Sequence, residues 1–352
     1  MTAPATPRIL HLVDRVTGGV PVAVRTYVAN SPAGVEHVIA APFAEGQPAP
    51  VWAGTTATLV AWDTTSALSA MRDLRRILLA RQYHVVHAHS SFPGVYARLL
   101  NTARRTRLVY TPHCFAFLRA DVARPVRGIY RFIEKVLRGR ATIVAACGPG
   151  ERAEALRIGV PPDRVLVVPN VASVSAGPSD SRGPRAPGAP VRVGMLGRDA
   201  PQKDPAFFRA RVAELRAALP VPVEAWWIGD GSDVDPAVHV TGWLTPVEVA
   251  ARLRALDLYL HTAAWEGFPI AILDAHAMGL PVLARAIPAL PGLPPELTIA
   301  GGRGRFLDAV RAGALATWSV ENHAAWAAYL GARTPGAQRE ALARAWDVRV
   351  GR

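Results

Sequence analysis

Short apolar runs alternate with amphipathic stretches along almost the whole chain of 352 residues. Residues 8–13 and 35–42 have the pattern of strands, and residues 21–30 and 68–81 have helical periodicity. Strands that alternate with helices in this way form parallel sheets covered by helices. The same alternation resumes after residue 190, and a chain of this length can bury two cores. The pattern therefore predicts an α/β protein with two domains.

A stretch without periodicity separates the two series of elements. Residues 172–190 read A-S-V-S-A-G-P-S-D-S-R-G-P-R-A-P-G-A-P and are rich in proline, glycine and serine. Such a composition is typical of a linker. We therefore predict an N-terminal domain at residues 1–170, a linker at 171–190 and a C-terminal domain at 191–352.

The stretch at residues 264–284, A-W-E-G-F-P-I-A-I-L-D-A-H-A-M-G-L-P-V-L-A, predicts a loop, a helix and a strand. Pro269 fits the first helical turn, and Gly279 ends the helix. The first turn of a helix offers unpaired N–H groups to a phosphate. Glu266 and Asp274 would repel a phosphate but suit hydroxyl groups. The stretch therefore predicts a ligand that carries both a phosphate and a sugar or ribose.

A second candidate for phosphate binding lies at the start of the C-terminal domain. Residues 191–204, V-R-V-G-M-L-G-R-D-A-P-Q-K-D, indicate a strand that ends near Gly197 and is followed by Arg198 and Lys203. Only two of the 40 basic residues are lysines, and Lys203 is the one in this half. Two positive charges at a strand end can stabilise the charge on a leaving diphosphate. The alternative is a solvated surface loop.

In the N-terminal domain, three residues stand where strands end. Gly18 and Gly19 follow the first strand, either as a tight turn or to let the backbone approach a ligand closely. His113 ends the strand at residues 107–113, and ligands meet parallel sheets at such ends. These positions predict ligand contacts from the first domain as well.

Two further histidines raise the question of a metal. His87 and His89 are two residues apart in a strand and so point to the same face. No nearby cluster of Asp, Glu or Cys completes a site, so no metal site is predicted. Cys114 and Cys147 have no metal-ligand spacing and are expected to be reduced thiols in the core.

The positive charge is concentrated in the first half of the chain. The net charge is +13, of which residues 1–170 contribute +11. Residues 119–140 combine an apolar stripe with seven basic residues, which is typical of a helix on an anionic membrane or of a solvated helix face. The stripe consists of Val122, Val126, Ile129, Ile133, Val136 and Leu137. The basic residues are Arg119, Arg124, Arg127, Arg131, Lys135, Arg138 and Arg140.

Other partners and locations are less consistent with the composition. The charge is diffuse and no base-stacking aromatic motif accompanies it, so a nucleic-acid partner is not predicted. No uncharged apolar run reaches the ~18 residues of a membrane-spanning helix. The chain also begins without a signal-peptide pattern. We expect a cytoplasmic protein, either free or peripheral on the inner face of the cell membrane.

Residues 266–284, E-G-F-P-I-A-I-L-D-A-H-A-M-G-L-P-V-L-A, resemble the signature E-G-F-P-x-x-x-x-E-A-x-A-x-G-x-P-V-x-A of the retaining GT-B glycosyltransferases of family 4, also called group 1. The resemblance covers roughly residues 8–300 and is strongest at 191–284. Members of this family are hexosyltransferase-type enzymes that move a sugar from a nucleotide diphosphate sugar to an acceptor with retention of the anomeric configuration. The resemblance implies two Rossmann-like domains whose parallel sheets face a central cleft. It also implies a last helix that recrosses to the first domain.

The resemblance also implies roles for individual residues. Glu266 would lie near the donor sugar and diphosphate, and Asp274, where the family usually has Glu, would hold the ribose. Arg198 and Lys203 are the nearest equivalents of the basic pair in V-G-R-L-x-x-x-K-G and would hold the diphosphate. His113, in Y-T-P-H-C-F, would approach the donor sugar and completes the predicted catalytic set of His113, Glu266, Arg198 and Lys203. The predicted donor-binding residues are Gly18, Gly19, Arg198, Lys203, Glu266, Gly267, Phe268, Pro269, Ile270 and Asp274.

Three positions besides Asp274 depart from the family pattern. Asp204 and Val171 stand where glycine is usual, and Cys147 replaces a serine. Two other functions stay open: a nucleotide-sugar 2-epimerase of the same fold, against which the E-G-F-P signature counts, and a catalytically degenerate scaffold that binds nucleotide, which the changes at Asp274 and Val171 would allow.

Donor, acceptor and cofactor follow from the same resemblance. The expected donor is a UDP-sugar, with a GDP-sugar as the alternative. The expected acceptor is a glycan, a lipid-linked glycan or a small molecule. We expect no cofactor, because Arg198, Lys203 and helix N-termini would supply the positive charge that Mg²⁺ supplies in other enzymes.

Overall fold

A computed structural model describes residues 6–44, 46–47, 49–100, 106–175, 186, 188–231 and 237–348 of the protein. The chain divides into two compact units, Met1–Val171 with Arg333–Arg352, and Ala172–Ala332. We call them the N-terminal and the C-terminal unit. Much of the predicted linker, residues 176–185 and 187, lies outside the described residues.

The N-terminal unit contains a parallel sheet of seven strands in the order β3-β2-β1-β4-β5-β6-β7. Its strands are almost continuously buried, as expected for a parallel sheet with helices on both faces. The strands are β1 Arg8–Val13, β2 Glu36–Ala41, β3 Thr58–Ala61, β4 Val85–His89, β5 Arg107–Thr111, β6 Ile143–Ala146 and β7 Val165–Val167. The helices are α1 Gly19–Ala29, α2 Ala67–Ala80, α3 Ser91–Leu100, α4 Arg124–Leu137 and α5 Pro149–Arg157.

The C-terminal unit contains a parallel sheet of five strands in the order β10-β9-β8-β11-β12. The strands are β8 Val191–Leu196, β9 Val223–Ile228, β10 Val238–Val240, β11 Leu258–His261 and β12 Val282–Ala284. The helices are α6 Pro205–Ala218, α7 Pro246–Arg254, α8 Ile270–Ala277, α9 Ile299–Arg311 and α10 Leu315–Leu330. Two parallel sheets with crossover helices confirm the predicted α/β class.

The last helix, α11 Pro335–Trp346, belongs to the N-terminal unit. Gln338 is fully buried, donates to the carbonyl of Pro169 at 2.8 Å and accepts from the Asn30 amide at 2.8 Å. The indole N–H of Trp346 donates to Nδ1 of His87 at 3.1 Å. These bonds and the apolar face of α11 complete the core beneath the sheet.

Helix α9 begins at Ile299 and contains Gly301, Gly302 and Gly304 in its first two turns. The hydroxyl of Thr298 caps it by accepting from Gly301 N at 3.0 Å. A Cβ at Gly302 would lie 2.2 Å from the carbonyl oxygen of Glu296, so only glycine lets the helix pack this closely against the preceding turn. The glycines that resemble a loop in the sequence are therefore a packing requirement.

Candidate active site

Two of the predicted site residues meet in the C-terminal unit. Strands β8 and β11 are neighbours and parallel, so the loops after their carboxyl ends lie at the same edge of the sheet. Lys203, in the loop after β8, forms an ion pair through Nζ with Oε1 of Glu266, in the loop after β11. Gln202, which the sequence did not single out, donates to Oε2 of Glu266 at 3.2 Å. Both carboxylate oxygens of Glu266 are thus held by the loop after β8.

Two glycines give this loop its position. A Cβ at Gly197 would lie 2.8 Å from Cε of Lys203, so the lysine side chain folds over the glycine. Gly229, at the end of β9, has φ 134° and a Cβ there would lie 2.3 Å from the carbonyl oxygen of Gly197. Arg198 follows Gly197 directly and is partly exposed. The end of β9 can approach the backbone of Gly197 this closely only because Gly229 has no side chain.

The departure at Asp204 has a structural explanation. Its backbone is left-handed, with φ 52° and ψ 66°, which is why the family pattern favours glycine here. Aspartate is tolerated in this conformation. Its carboxylate caps α6 by accepting from Phe207 N at 3.1 Å and pairs with Nη1 of Arg285 at 2.7 Å. The substitution therefore preserves the loop geometry.

The start of α8 carries the predicted phosphate site. The sequence suggested that Pro269 lies in the first helical turn. In the structure Pro269 is the N-cap residue, just before that turn. The N-cap side chain makes no hydrogen bond to α8 and the first turn contains no acid, so N–H groups of this turn are not satisfied by a capping side chain. Gly267, Phe268 and Ile270 are buried around this helix start. Phosphate binding at this position stays a prediction.

Asp274 lies in a different environment from that expected of a ribose ligand. The side chain is 3% exposed and accepts hydrogen bonds from Ser173 N at 2.6 Å, Ser173 Oγ at 2.9 Å and Val174 N at 3.3 Å. Burial raises the pKa of Asp274 to about 6, although these hydrogen bonds oppose the shift. In this arrangement the carboxylate fixes the segment that follows Val171 and offers almost no surface to a ligand. The ribose role stays a prediction.

The raised pKa of Asp274 predicts a pH-dependent stability. The folded-state pKa of about 6 lies above the ordinary value of 3.8, so this group's contribution to stability is fully present below about pH 4 and is lost as the pH rises through 6. Asp274→Asn keeps an acceptor for the backbone N–H groups and can donate to Ser173 Oγ without burying a charge. We expect the variant to be up to about 3 kcal/mol more stable than the parent at pH 8, with no difference at pH 4.

Urea unfolding at pH 4, 6 and 8 measures this effect. The control is Asp257→Asn, because Asp257 also accepts a backbone N–H, that of Arg192, but is partly exposed to water. We expect no comparable gain in stability at pH 8 for the control. Parallel pH profiles for the parent and Asp274→Asn would contradict the assignment.

The predicted residues of the N-terminal unit also lie at strand ends. Gly18 has φ 86° and is the N-cap residue of α1, and Gly19 begins the helix two residues earlier than predicted. His113 follows β5 with φ 50°, and its Nε2 forms a hydrogen bond of 3.0 Å with Nδ1 of His89. Burial lowers the pKa of His113 to about 3, so the ring is neutral at neutral pH. His113 can therefore donate or accept one hydrogen bond at Nδ1, but it does not act as a cation.

The histidines of this unit form a larger cluster than the sequence indicated. His87 and His89 do lie on one face, with ring centroids 4.1 Å apart. His11, from β1, places one ring nitrogen within 4.8 Å of a ring nitrogen of each, so the three histidines have the composition of a metal site although no Asp, Glu or Cys takes part. In the sequence, the signal for this cluster was the presence of His11 in the first strand. His11 can be assigned to the cluster only when β1 and β4 are known to be neighbours.

Comparison with known proteins agrees with this architecture. The chain matches the Glycosyl transferase 4-like domain over residues 17–171 and the Glycosyl transferases group 1 domain over residues 190–317. It is 25% identical over 244 residues, 62% of each chain, to the UDP-Gal:alpha-D-GlcNAc-diphosphoundecaprenol alpha-1,3-galactosyltransferase of Escherichia coli. The chain thus spans less than two thirds of that relative's length.

Solved structures show the same fold at low sequence identity. Anabaena HepE in complex with UDP-glucose is similar with a TM-score of 0.70 and 16% identity, over 96% of this chain and 98% of that one. A Listeria monocytogenes protein described as a UDP-N-acetylglucosamine 2-epimerase is similar with a TM-score of 0.60 and 14% identity, over 97% and 95%. Since the two domain matches together span most of the sequence, the chain belongs to the group 1 glycosyltransferases, hexosyltransferase-type enzymes with the GT-B fold.

Proposed function

We propose that the protein transfers a sugar from a nucleotide diphosphate sugar, with retention of configuration, to the hydroxyl of a glycan, lipid-linked or small-molecule acceptor. The observation that carries the proposal is the Lys203–Glu266 pair in the loops after β8 and β11, with Glu266 in the loop that leads into the uncapped start of α8. A cation, an acid and a helix N-terminus suit a ligand that combines diphosphate and sugar.

In this proposal Lys203, Arg198 and the first turn of α8 bind the diphosphate and stabilise its charge as the bond to the sugar breaks. Glu266 accepts from hydroxyl groups of the donor sugar, and Asp274 contributes to the ribose site. The N-terminal unit binds the acceptor and provides His113. We propose that no metal or other cofactor takes part, because Lys203, Arg198 and helix N-termini supply the positive charge.

The kind of donor and acceptor is proposed from the relatives. The Escherichia coli relative is named for a UDP-linked donor and a diphosphoundecaprenol acceptor, and HepE was solved with UDP-glucose. We therefore favour a UDP-sugar over a GDP-sugar and a lipid-linked glycan over a small molecule, with the reaction at the cytoplasmic face of the membrane.

A thermal-shift panel of UDP- and GDP-sugars tests the donor. A ligand at 100 times its dissociation constant stabilises the native state by about 2.7 kcal/mol, so the true donor should raise the melting temperature clearly. The same panel is then assayed for release of the nucleoside diphosphate, with water as acceptor where no other is at hand. A panel in which no nucleotide sugar stabilises the protein or is cleaved would contradict the proposal.

The Listeria neighbour of the same fold favours one second candidate, a 2-epimerase. An epimerase would convert the nucleotide sugar into the epimeric nucleotide sugar without any acceptor and without net release of the nucleotide. A glycosyltransferase consumes the donor in proportion to acceptor and forms a new glycosidic bond. Analysis of the sugar product therefore separates the two functions.

Helix α4 supports a proposed contact with an anionic membrane. The apolar stripe predicted from the sequence divides, because Val126, Ile133 and Leu137 turn inwards whereas Ile129 and Val136 stay 57% and 58% exposed. With Phe132, which is 66% exposed, these two residues form an apolar row at spacings of three and four along one side of the helix. Among the described residues no helix is long and apolar enough to cross a membrane.

The same helix carries a row of exposed bases, Arg124, Arg131 and Lys135, at spacings of seven and four. Each base near an anionic surface contributes about 1 kcal/mol, and salt screens the attraction. An exposed apolar row beside exposed bases is the arrangement expected of a helix that lies in a membrane interface. We therefore propose that α4 places the N-terminal unit on anionic lipid.

Flotation with liposomes tests this contact. We expect binding at low salt to vesicles that contain phosphatidylglycerol, release at high salt, and no binding to phosphatidylcholine vesicles. Ile129→Ser with Phe132→Ser, and separately Arg124→Glu with Lys135→Glu, should each abolish binding and leave nucleotide binding unchanged.

Two control variants match these changes elsewhere in the protein. Val320→Ser removes an apolar side chain that is 71% exposed on α10, and Arg339→Glu with Arg344→Glu makes the same charge change on α11. Both controls should still float with anionic vesicles. Protein that stays at the bottom at low salt, or controls that lose binding as fully as the α4 variants, would rule out α4 as the contact.

A further inference from the structure

We propose that three buried histidines fix His113 as a hydrogen-bond donor to a substrate oxygen, through its Nδ1–H group. These positioning residues, His37, His11 and His89, form one chain of hydrogen-bonded rings with His113. Nδ1 of His37 lies 3.0 Å from Nε2 of His11, Nδ1 of His11 lies 3.0 Å from Nε2 of His89, and Nδ1 of His89 lies 3.0 Å from Nε2 of His113. The four rings come from β2, β1, β4 and the residues after β5, which are successive neighbours in the sheet.

All four rings of this chain are neutral at neutral pH. Burial lowers the pKa of His37 to about 4 and that of His113 to about 3. It also lowers the pKa of His11 and His89 well below the ordinary value. A neutral imidazole carries its one proton either on Nδ1 or on Nε2. Each ring can therefore donate through one nitrogen only and accepts through the other.

The direction of the bonds couples the four rings. Each bond joins Nδ1 of one ring to Nε2 of the next, and a hydrogen bond between two ring nitrogens needs one proton and only one. If one ring is protonated at Nδ1, the next must therefore be protonated at Nδ1 as well. Only two states satisfy all the bonds: every ring protonated at Nδ1, or every ring protonated at Nε2.

The two ends of the chain of rings decide between these states. Nε2 of His37 is buried and has no hydrogen-bond partner among the described residues. A proton there would form a buried N–H group without an acceptor, which is rare in proteins. Nδ1 of His113 also makes no hydrogen bond with the described residues, but His113 is partly exposed and this nitrogen is not enclosed in the same way. The state with every Nδ1 protonated is therefore favoured, and it gives His113 an N–H group that a ligand can reach.

His87 belongs to the same cluster but has the opposite tautomer. Because the indole N–H of Trp346 can only donate, Nδ1 of His87 accepts and Nε2 carries the proton. That Nε2 donates to Oγ1 of Thr111 at 2.8 Å. Both nitrogens of His87 thus have partners within the fold, and a metal bound by His11, His87 and His89 would have to break these bonds. Hydrogen bonds therefore account for the cluster, and His87 provides an internal reference for the other tautomer.

The backbone around His113 restricts the direction of its ring. His113 and Cys114 are both left-handed, with φ 50° and 90°. Cys114 N donates to Oε1 of Glu151 at 2.6 Å, and Cys147 N donates to Oε2 of the same side chain at 2.8 Å. Glu151 is 2% exposed and so ties the residues after β5 to those after β6 inside the core. With Nε2 of His113 bonded to His89, this contact leaves the Nδ1–H group in one direction.

The consequence for the reaction rests on the proposed function. A neutral ring that is protonated at Nδ1 can donate to a lone pair of an oxygen atom, but it cannot take a proton from the hydroxyl of the acceptor. We therefore assign His113 to binding a hydroxyl oxygen of the donor sugar and not to general-base catalysis. If the tautomers were reversed, a lone pair of His113 would face the lone pair of that oxygen.

Nitrogen NMR of the full chain, labelled with ¹⁵N-histidine, tests the tautomers without any substrate. Signals are assigned by comparison with single His→Phe variants. We expect Nδ1 to carry the proton in His37, His11, His89 and His113, and Nε2 to carry it in His87. Protons on Nε2 of the four rings, or mixed tautomers among them, would overturn the assignment.

Two variants at His37 test the control of His113 from the far end of the chain of rings. The carboxylate of His37→Asp can only accept, so Nε2 of His11 must carry the proton and every ring of the chain reverses. His37→Phe offers neither a donor nor an acceptor, so the parental tautomers are retained. At pH 8 we expect His113 to be protonated at Nε2 in His37→Asp and at Nδ1 in His37→Phe. Parental tautomers in a folded His37→Asp would overturn the proposal.

Kinetics with the donor identified by the panel test the use of the N–H group. We expect His37→Asp to lower kcat/KM for the donor at least about tenfold, because a hydrogen bond to the substrate becomes a contact between two lone pairs. His37→Phe should stay within about threefold of the parent, as for a change that does not touch the reaction. Binding of the free nucleoside diphosphate should be unchanged in both, because the contact is to the sugar. A loss in His37→Phe as large as in His37→Asp would overturn the role of the tautomer.

A second pair of variants, at His113 itself, applies if His37→Asp does not fold. Asparagine and aspartate both tolerate the left-handed backbone, and asparagine can donate a hydrogen bond where aspartate can only accept. We expect His113→Asn to keep at least about tenfold more kcat/KM than His113→Asp. Equal losses in the two variants would overturn the donor role. If the parent cleaves no nucleotide sugar, the proposed function fails, and the tautomers measured by NMR still decide the positioning of His113.

Discussion

Replacing Lys203 by alanine is expected to lower the turnover of bound donor at least about tenfold, which corresponds to 1.4 kcal/mol or more in the barrier. Lys203 brings a positive charge to Glu266 in the loop after β8. In a largely buried site, a cation that lies beside a leaving diphosphate stabilises charge that develops only in the transition state. The measurement is release of the nucleoside diphosphate at saturating donor, together with calorimetry of nucleotide binding.

The matched control is Arg303→Ala. Arg303 on α9 also forms an ion pair with a glutamate of the C-terminal unit, Glu214 on α6, but that pair is exposed and neither residue belongs to the loops after β8 and β11. We expect the control to keep parental turnover, so a loss specific to Lys203→Ala cannot come from breaking an ion pair as such. Equal turnover in Lys203→Ala and the parent would refute the role of Lys203.

Glu266→Gln tests the role of the acid separately from the role of Lys203. Since the proposed partner of Glu266 is the donor sugar, this variant should reduce transfer much more than binding of the free nucleoside diphosphate. Asp274→Ala should weaken binding of both donor and nucleoside diphosphate, because ribose is present in each. The opposite pattern would mean that the two acids have exchanged roles.

Replacing Glu134 by alanine is expected to destabilise the N-terminal unit by about 3–5 kcal/mol, the cost of leaving a buried charge without its partner. Glu134 on α4 and Arg98 on α3 form an ion pair at 2.8 Å, and both side chains are almost fully buried. Glu134 also accepts from the hydroxyl of Tyr110 at 2.8 Å, and Arg98 donates to the carbonyl of Gly94 at 2.8 Å. The network fixes α4 against the sheet, and α4 carries the proposed membrane contact.

Urea unfolding measures this loss in the transition of the N-terminal unit. The control is Glu36→Ala, which breaks the exposed Arg8–Glu36 pair of the same unit at 2.7 Å and should cost no more than about 1 kcal/mol. Arg98→Met combined with Glu134→Leu should recover most of the stability, because no charge is then buried. A loss in Glu134→Ala as small as that of the control would refute the argument.

Local patterns determined much of this protein. The alternation of strands and helices predicted the α/β class, because a strand buried on both faces and an amphipathic helix each have their own periodicity in the sequence. The motif around Glu266 and the strand end before Lys203 identified the elements that carry the candidate site. Helix starts were less predictable, since close packing against a turn placed the start of α9 among glycines.

Only the tertiary structure decided which of these residues meet. Lys203 and Glu266 are 63 residues apart, and their contact depends on β8 and β11 being neighbours. Ser173 and Asp274 are 101 residues apart, and their contact places the acid that is predicted to hold the ribose in a buried setting with a raised pKa. Periodicity within a segment says nothing about the order of strands in a sheet.

The histidines show most clearly what the sequence determined and what only the tertiary structure decided. Each lies in or just after a strand whose pattern is plain in the sequence, yet His11 and His89 are separated by 78 residues and His37 and His11 by 26. Their rings form one hydrogen-bonded chain because the sheet places β2, β1, β4 and β5 side by side in that order. The sequence determined which residues lie in the strands. The strand order and register decided which imidazoles are bonded, because strand order and register depend on contacts between distant segments.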